Sequence, residues 1–169
     1  MFVRFVLHIV FLFSCFTGSA QIFKNIEKSI DKDSILKILK ASKVNLVRLS
    51  DTNHRKGVYL LNLAENLTDT MNDINLKILV NRHRLEYFID IRDTVMAEEY
   101  LRKNLVLIEK VGDKRELGLH YERIGALRSF QKRRKEEEMA AFKTASELLN
   151  KYGEKRDLIE ANYNLGVIY

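Results

Sequence analysis

Eleven consecutive residues of this chain return in kind 41 positions later. Leu107-Ile108-Glu109-Lys110-Val111-Gly112-Asp113-Lys114-Arg115-Glu116-Leu117 becomes Leu148-Leu149-Asn150-Lys151-Tyr152-Gly153-Glu154-Lys155-Arg156-Asp157-Leu158, with a step of 41 throughout. The same step joins Tyr59, Tyr100 and Ala141; Leu60, Leu101 and Phe142; and Leu67, Ile108 and Leu149. A further set, Ile35, Leu76, Leu117 and Leu158, keeps it as well. Apolar character persists at these places while the polar neighbours drift, as expected when the repeated quantity is a buried face. One such unit cannot bury its apolar face alone, so neighbouring units have to stack.

Each period reads as two helices. Ala97, Leu101, Leu105 and Ile108 follow the i, i+4, i+8, i+11 spacing of one helical stripe, with Glu98, Glu99, Arg102 and Lys103 between them. Asp93 or Thr94 supplies a side-chain acceptor for the first free backbone N–H groups. Gly112 offers a left-handed stop, and Asp113 with Glu116 opens the next helix in the manner of a capping box. Gly153, Glu154 and Asp157 repeat that punctuation. The absence of proline from all 169 residues fits long uninterrupted helices. The predicted helices cover 33–50, 54–70, 73–91, 94–111, 114–130, 135–151 and 155–169, with a short leading helix over 22–30. No period-two alternation is sustained, so strands are not expected.

The segment Tyr163-Asn164-Leu165-Gly166-Val167-Ile168-Tyr169 resembles the first helix of a tetratricopeptide repeat, with its Leu-Gly pair and a tyrosine three residues on. Ile124-Gly125 is the corresponding pair one repeat earlier, with Arg128 in the tyrosine's place, and Arg84 replaces the glycine one repeat before that. Ala140-Ala141-Phe142 and Ala145 resemble the small-plus-aromatic face of the second helix. The resemblance covers about 94 to 169 and implies an all-α fold, a right-handed superhelix of antiparallel helical hairpins. The glycine would let the two helices of a hairpin approach closely, where a side chain would hold them apart.

The first twenty residues read as an address. Arg4 precedes an apolar run from Phe5 to Phe16, and Gly18-Ser19-Ala20 follows, the three regions of a secretory signal peptide. The run is too short for a stable membrane span, since twelve helical residues extend about 18 Å against a hydrocarbon core of about 30 Å. The expected organisation is therefore a signal peptide at 1–20, a leading segment at 21–32 and helical repeats over 33–169, in an exported, periplasmic or secreted protein. Cys15, the one cysteine, leaves lipidation as an alternative to ordinary cleavage, through a weak likeness of Leu12-Phe13-Ser14-Cys15 to a lipobox.

Charge and chemistry narrow the function. The formal net charge is +6, yet the densest basic run, Lys132-Arg133-Arg134-Lys135, is followed at once by Glu136-Glu137-Glu138, so no unneutralised stripe points to nucleic acid. His54, His83 and His120 lack the spacing of a zinc protease, and with no cysteine beyond residue 15 no metal or other cofactor is expected. Asp31-Lys32-Asp33 lacks the glycine and terminal glutamate of a calcium loop and reads as a helix cap. No nucleophile elbow or phosphate loop occurs, and an enzyme is not expected.

What these patterns favour is a scaffold that binds a protein or peptide. Arg82, Arg123 and Asn164 are related by the 41-residue step and would form a polar ladder on a concave surface lined by first helices. The resemblance implies that such side chains can grip a peptide carboxylate; the alternative is three solvated surface residues. A second reading makes the chain the extracytoplasmic sensor portion of a histidine kinase or transcriptional regulator. A third places a catalytic domain beyond Tyr169. Because the last first helix has no second helix after it, a further C-terminal region or a covering partner is expected.

Overall fold

The structure is a computed structural model that describes residues 31–47, 51–131 and 134–168. Every regular element among these is an α-helix: α1 (Lys32–Leu46), α2 (Asp51–Thr70), α3 (Ile74–Asp90), α4 (Thr94–Val111), α5 (Lys114–Ser129), α6 (Lys135–Tyr152) and α7 (Lys155–Ile168). These follow the spans expected from the sequence, with the largest difference at the end of α1, which stops at Leu46. The signal-peptide pattern, Cys15, the leading helix at 22–30 and the Lys132-Arg133 pair fall outside the described residues. No described helix is long and apolar enough to cross a membrane.

The chain divides into two compact units, Met1–Leu76 and Lys77–Tyr169. In the first, Asp31 caps α1 by accepting hydrogen bonds from the Ser34 backbone N–H at 2.8 Å and from the Ser34 hydroxyl at 2.6 Å. These bonds hold its carboxyl below the ordinary carboxylate range. Ile35, Ile38 and Leu39 of α1 and Leu60, Leu61, Ala64 and Leu67 of α2 are the buried apolar residues of the two helices. The two meet closely at Gly57, where an added Cβ would lie 2.7 Å from Leu46 Cγ, and the Ser42 hydroxyl donates to the Gly57 carbonyl at 2.8 Å.

The second unit holds α4 to α7 and all but the first turn of α3. Asp93 caps α4 through the Met96 N–H, and Gly112 ends it with φ 75°, the left-handed stop. Asp113 then caps α5 by accepting from the Arg115 and Glu116 N–H groups. The expected capping box is only half made, because the Glu116 carboxylate pairs with Arg82 instead of returning to the Asp113 N–H. At the next repeat the other half is made: Asp157 accepts from the Glu154 N–H at 2.9 Å. Gly153 also departs from expectation. Its φ of −81° is ordinary, and glycine is needed there because a Cβ would sit 2.6 Å from the Leu149 carbonyl oxygen.

The repeated positions divide by depth. Leu60, Leu101 and Phe142 are all buried, as are Leu67, Ile108 and Leu149. Ile35 and Leu76 are buried and Leu117 and Leu158 half-buried, while Tyr59 is 42% exposed against 5% for Tyr100 and Ala141. In α4 the buried stripe runs through Ala97, Tyr100, Leu101, Asn104 and Ile108. Leu105 is only half-buried, so the stripe is rotated by one residue from the expected one.

Glycine sets the spacing of the helices. Added Cβ atoms at Gly118 and Gly125 of α5 would lie 2.8 Å from Leu149 and Phe142 of α6, so these helices approach backbone to backbone. The positions 41 residues earlier, in α3, are Lys77 and Arg84. Helices α3 and α4 accordingly lack that close Cα approach. Larger side chains fill the space, with Phe88 stacked on Tyr100 at 5.4 Å between ring centroids and Leu85, Ile89, Ala97, Leu101 and Leu127 in the same cluster. Gly166, the next in the series, has nothing within 4 Å of an added Cβ.

Candidate functional site: the first-helix ladder

Helices α3, α5 and α7 are the first helices of successive periods in the second unit. Arg82 stands on α3, Arg123 on α5 and Asn164 on α7, as the step requires. All three are half-buried and hydrogen-bonded to carboxylates of the same chain. Arg82 Nη1 donates to both Glu116 oxygens, at 2.9 and 2.8 Å. Arg123 donates to Glu86 Oε1 through Nε at 3.2 Å and Nη2 at 2.6 Å, and to Glu122 Oε2 through Nη1 at 2.9 Å. Asn164 Nδ2 donates to Glu122 Oε1 at 3.0 Å.

These bonds tie the three helices in two places. Arg82–Glu116 and Arg123–Glu86 join α3 to α5. Asn164–Glu122 joins α5 to α7, and so does Arg115–Asp157, with Nε to Oδ2 at 2.7 Å and Nη2 to Oδ1 at 3.2 Å. Guanidinium forks paired with carboxylates are the strong, directional form of the ion pair.

Charge states follow from the surroundings. Burial opposes the charge on Arg123, but the Glu86 and Glu122 carboxylates outweigh it and raise its pKa further. Burial pushes the Glu122 carboxyl up; Arg123 pulls it down, and Glu160 and Glu86 push it up again. Burial also works to raise Asp157, yet the Arg115 fork and the Glu154 N–H hold it below the ordinary range. Three carboxylates (Glu86, Glu122 and Glu160) thus act on one guanidinium.

The sequence singled out Arg82, Arg123 and Asn164 but not the roles of their partners Glu86, Glu116 and Glu122, nor the separate Arg115–Asp157 pair. The pairing separations of 34, 37 and 42 residues scatter around the repeat step. That clustering of opposite charges near one period is the one signal that could have found them.

The other candidates lie elsewhere. His120 of α5 is 4% exposed, its Nδ1 makes no hydrogen bond, and burial lowers its pKa to about 4. It packs edge-on against Tyr121 as a neutral core residue. Among the described residues no three His, Cys, Asp or Glu side chains are placed to hold a metal ion. Glu137 reaches Arg128, which also holds Glu98. Glu136 is exposed and Glu138 half-buried. Comparison of the chain with protein-family models, curated proteins and solved structures finds no match.

Proposed function

We propose that this chain is a non-catalytic helical-repeat scaffold of the tetratricopeptide kind, exported to the cell envelope, which binds a protein or peptide on the face of α3, α5 and α7. The observation that carries the reading is the ladder itself. Three first helices, each one period from the next, are cross-tied by arginine, asparagine and carboxylate groups. Rigid surfaces of this kind, built from repeated helices, suit extended ligands. The signal-peptide pattern of residues 1–20 supports export.

The charge pattern bears on the ligand. A free carboxylate would have to displace Glu116 from Arg82, or Glu86 and Glu122 from Arg123. A segment with lysine or arginine side chains would instead meet Glu160, which is exposed, and Glu86, which is half-buried, both close enough to act on Arg123. The test is selection of peptides from a random library against the protein, followed by chemical-shift mapping. The proposal expects basic peptides that shift α3, α5 and α7 resonances and whose affinity falls with added salt. Ligands that map only to α4 and α6, or that bind through a free C-terminal carboxylate, contradict it.

A further inference from the structure

We infer that the outer face of α1 is a docking surface for an anionic phospholipid membrane. Ile35, Ile38, Leu39 and Ser42 form the buried side of this helix, and the Ser42 hydroxyl reaches across to the Gly57 carbonyl of α2. The other side carries Leu36, Lys37, Lys40, Lys43, Val44 and Val47, which at roughly 100° per residue fall within about 120° of the helix circumference. All six are exposed, Val44 by 48% and Val47 by 75%. Residues 34–50 hold four cationic side chains and no acidic one. Asp33, the one acid of α1, stands in its first turn, at the opposite end from Val44 and Val47.

Charge and apolar exposure together select the partner. The lysines draw the face to an anionic surface, with about a fivefold gain in partitioning for each cation brought near it. Charge alone would serve any polyanion. The exposed aliphatic side chains make the distinction: Leu36, Val44 and Val47 enter the boundary between headgroups and acyl chains, while the lysine stems lie along it with their ammonium groups among the phosphates. A nucleic-acid backbone offers aliphatic side chains no such layer. The contact is with the membrane surface alone, since α1 has 15 residues and is not apolar enough to cross. It uses no residue of the ladder, so it stands or falls separately from the proposed peptide binding.

The chain has no tryptophan, so Val47→Trp places a single fluorescent reporter on this face. A local reporter is needed because the apolar run of residues 1–20 could carry the whole chain to a vesicle by itself. Titration with vesicles of phosphatidylcholine and phosphatidylglycerol should shift the emission to the blue, brominated acyl chains should quench it, and added salt should reverse both. Vesicles of phosphatidylcholine alone should do neither. Asn66→Trp, at an exposed position of α2, should stay unchanged throughout. In the Val47→Trp background, Lys37→Gln with Lys40→Gln should lower partitioning about 25-fold, fivefold for each charge, and Val44→Ser should weaken it without altering the salt dependence. Emission from Val47→Trp that ignores the anionic vesicles overturns the inference. So does an equal shift with phosphatidylcholine alone or in Asn66→Trp, or partitioning untouched by the lysine pair or by Val44→Ser. Duplex DNA that displaces the vesicles at equal phosphate concentration overturns it as well, since charge alone would then suffice.

Discussion

Gly125 and Gly166 occupy the same place in successive repeats, yet Gly→Ala should act in opposite directions at the two. At Gly125 a Cβ would stand 2.8 Å from three ring carbons of Phe142, itself 5% exposed, so either the ring or α6 has to move. Overpacking of this kind costs about 1–3 kcal/mol. Alanine in place of glycine returns about 0.8–1 kcal/mol of helix propensity. The net effect of Gly125→Ala is therefore a loss of up to about 2 kcal/mol. At Gly166 nothing lies within 4 Å, so only the propensity gain remains, reduced by the position near the end of α7. Chemical denaturation followed by circular dichroism at 222 nm measures both. The sharper form of the test uses Phe142→Ala as the background. With the ring gone, Gly125→Ala should cost less than in the unaltered protein, because the three nearest neighbours of the added Cβ are ring carbons of Phe142. If Gly125→Ala stabilises the unaltered protein as much as Gly166→Ala does, the close approach of α5 and α6 is not as described.

Gly112→Ala should cost about 1–2 kcal/mol in thermal or chemical denaturation, because φ is 75° there and no neighbour is disturbed; Gly112→Asn should cost less. His120 binds its proton more readily unfolded than folded, so it contributes a stability that rises between pH 4 and pH 6.5 and amounts to about 3 kcal/mol in all. His120→Leu should remove that rise from the stability–pH curve, and a curve with the same slope would contradict the burial of a neutral imidazole. Arg123→Ala leaves Glu86 and Glu122 without their guanidinium and should destabilise by about 3–5 kcal/mol, read from the urea midpoint. Arg123→Lys, which keeps the charge but not the fork, should recover only part of this.

Much of this architecture is legible in the sequence, for a physical reason. A 41-residue step carries buried positions from one hairpin to the next, so Leu60, Leu101 and Phe142 announce one another without any knowledge of the helices between. Caps are local, and Asp93, Gly112 and Asp113 could be read from neighbouring residues alone. What the sequence hides depends on rotation and on choice among partners. Whether Asn104 or Leu105 faces inward is a matter of about 100° around one helix, and a polar residue at the buried place obscures the stripe. Glu116 could have closed a capping box or taken Arg82, and the charge-assisted pair, with both carboxylate oxygens accepting from Arg82 Nη1, prevails. The ladder residues could be numbered from the repeat, but their pairing with carboxylates of the same chain could not. Those carboxylates come from helices whose relative placement the step does not specify.

The most direct test of the central claim, that first helices of successive periods lie side by side and are fastened by arginine–carboxylate pairs, is a set of two double-mutant cycles. Arg82→Ala with Glu116→Ala probes α3 against α5, and Arg115→Ala with Asp157→Ala probes α5 against α7, each by equilibrium unfolding. Contact predicts a coupling energy of about 0.5–3 kcal/mol in each cycle, with the double variant costing less than the sum of its two single variants. Additivity within about 0.5 kcal/mol in both cycles, which is what residues more than 7–10 Å apart give, would contradict the ladder and the scaffold built on it.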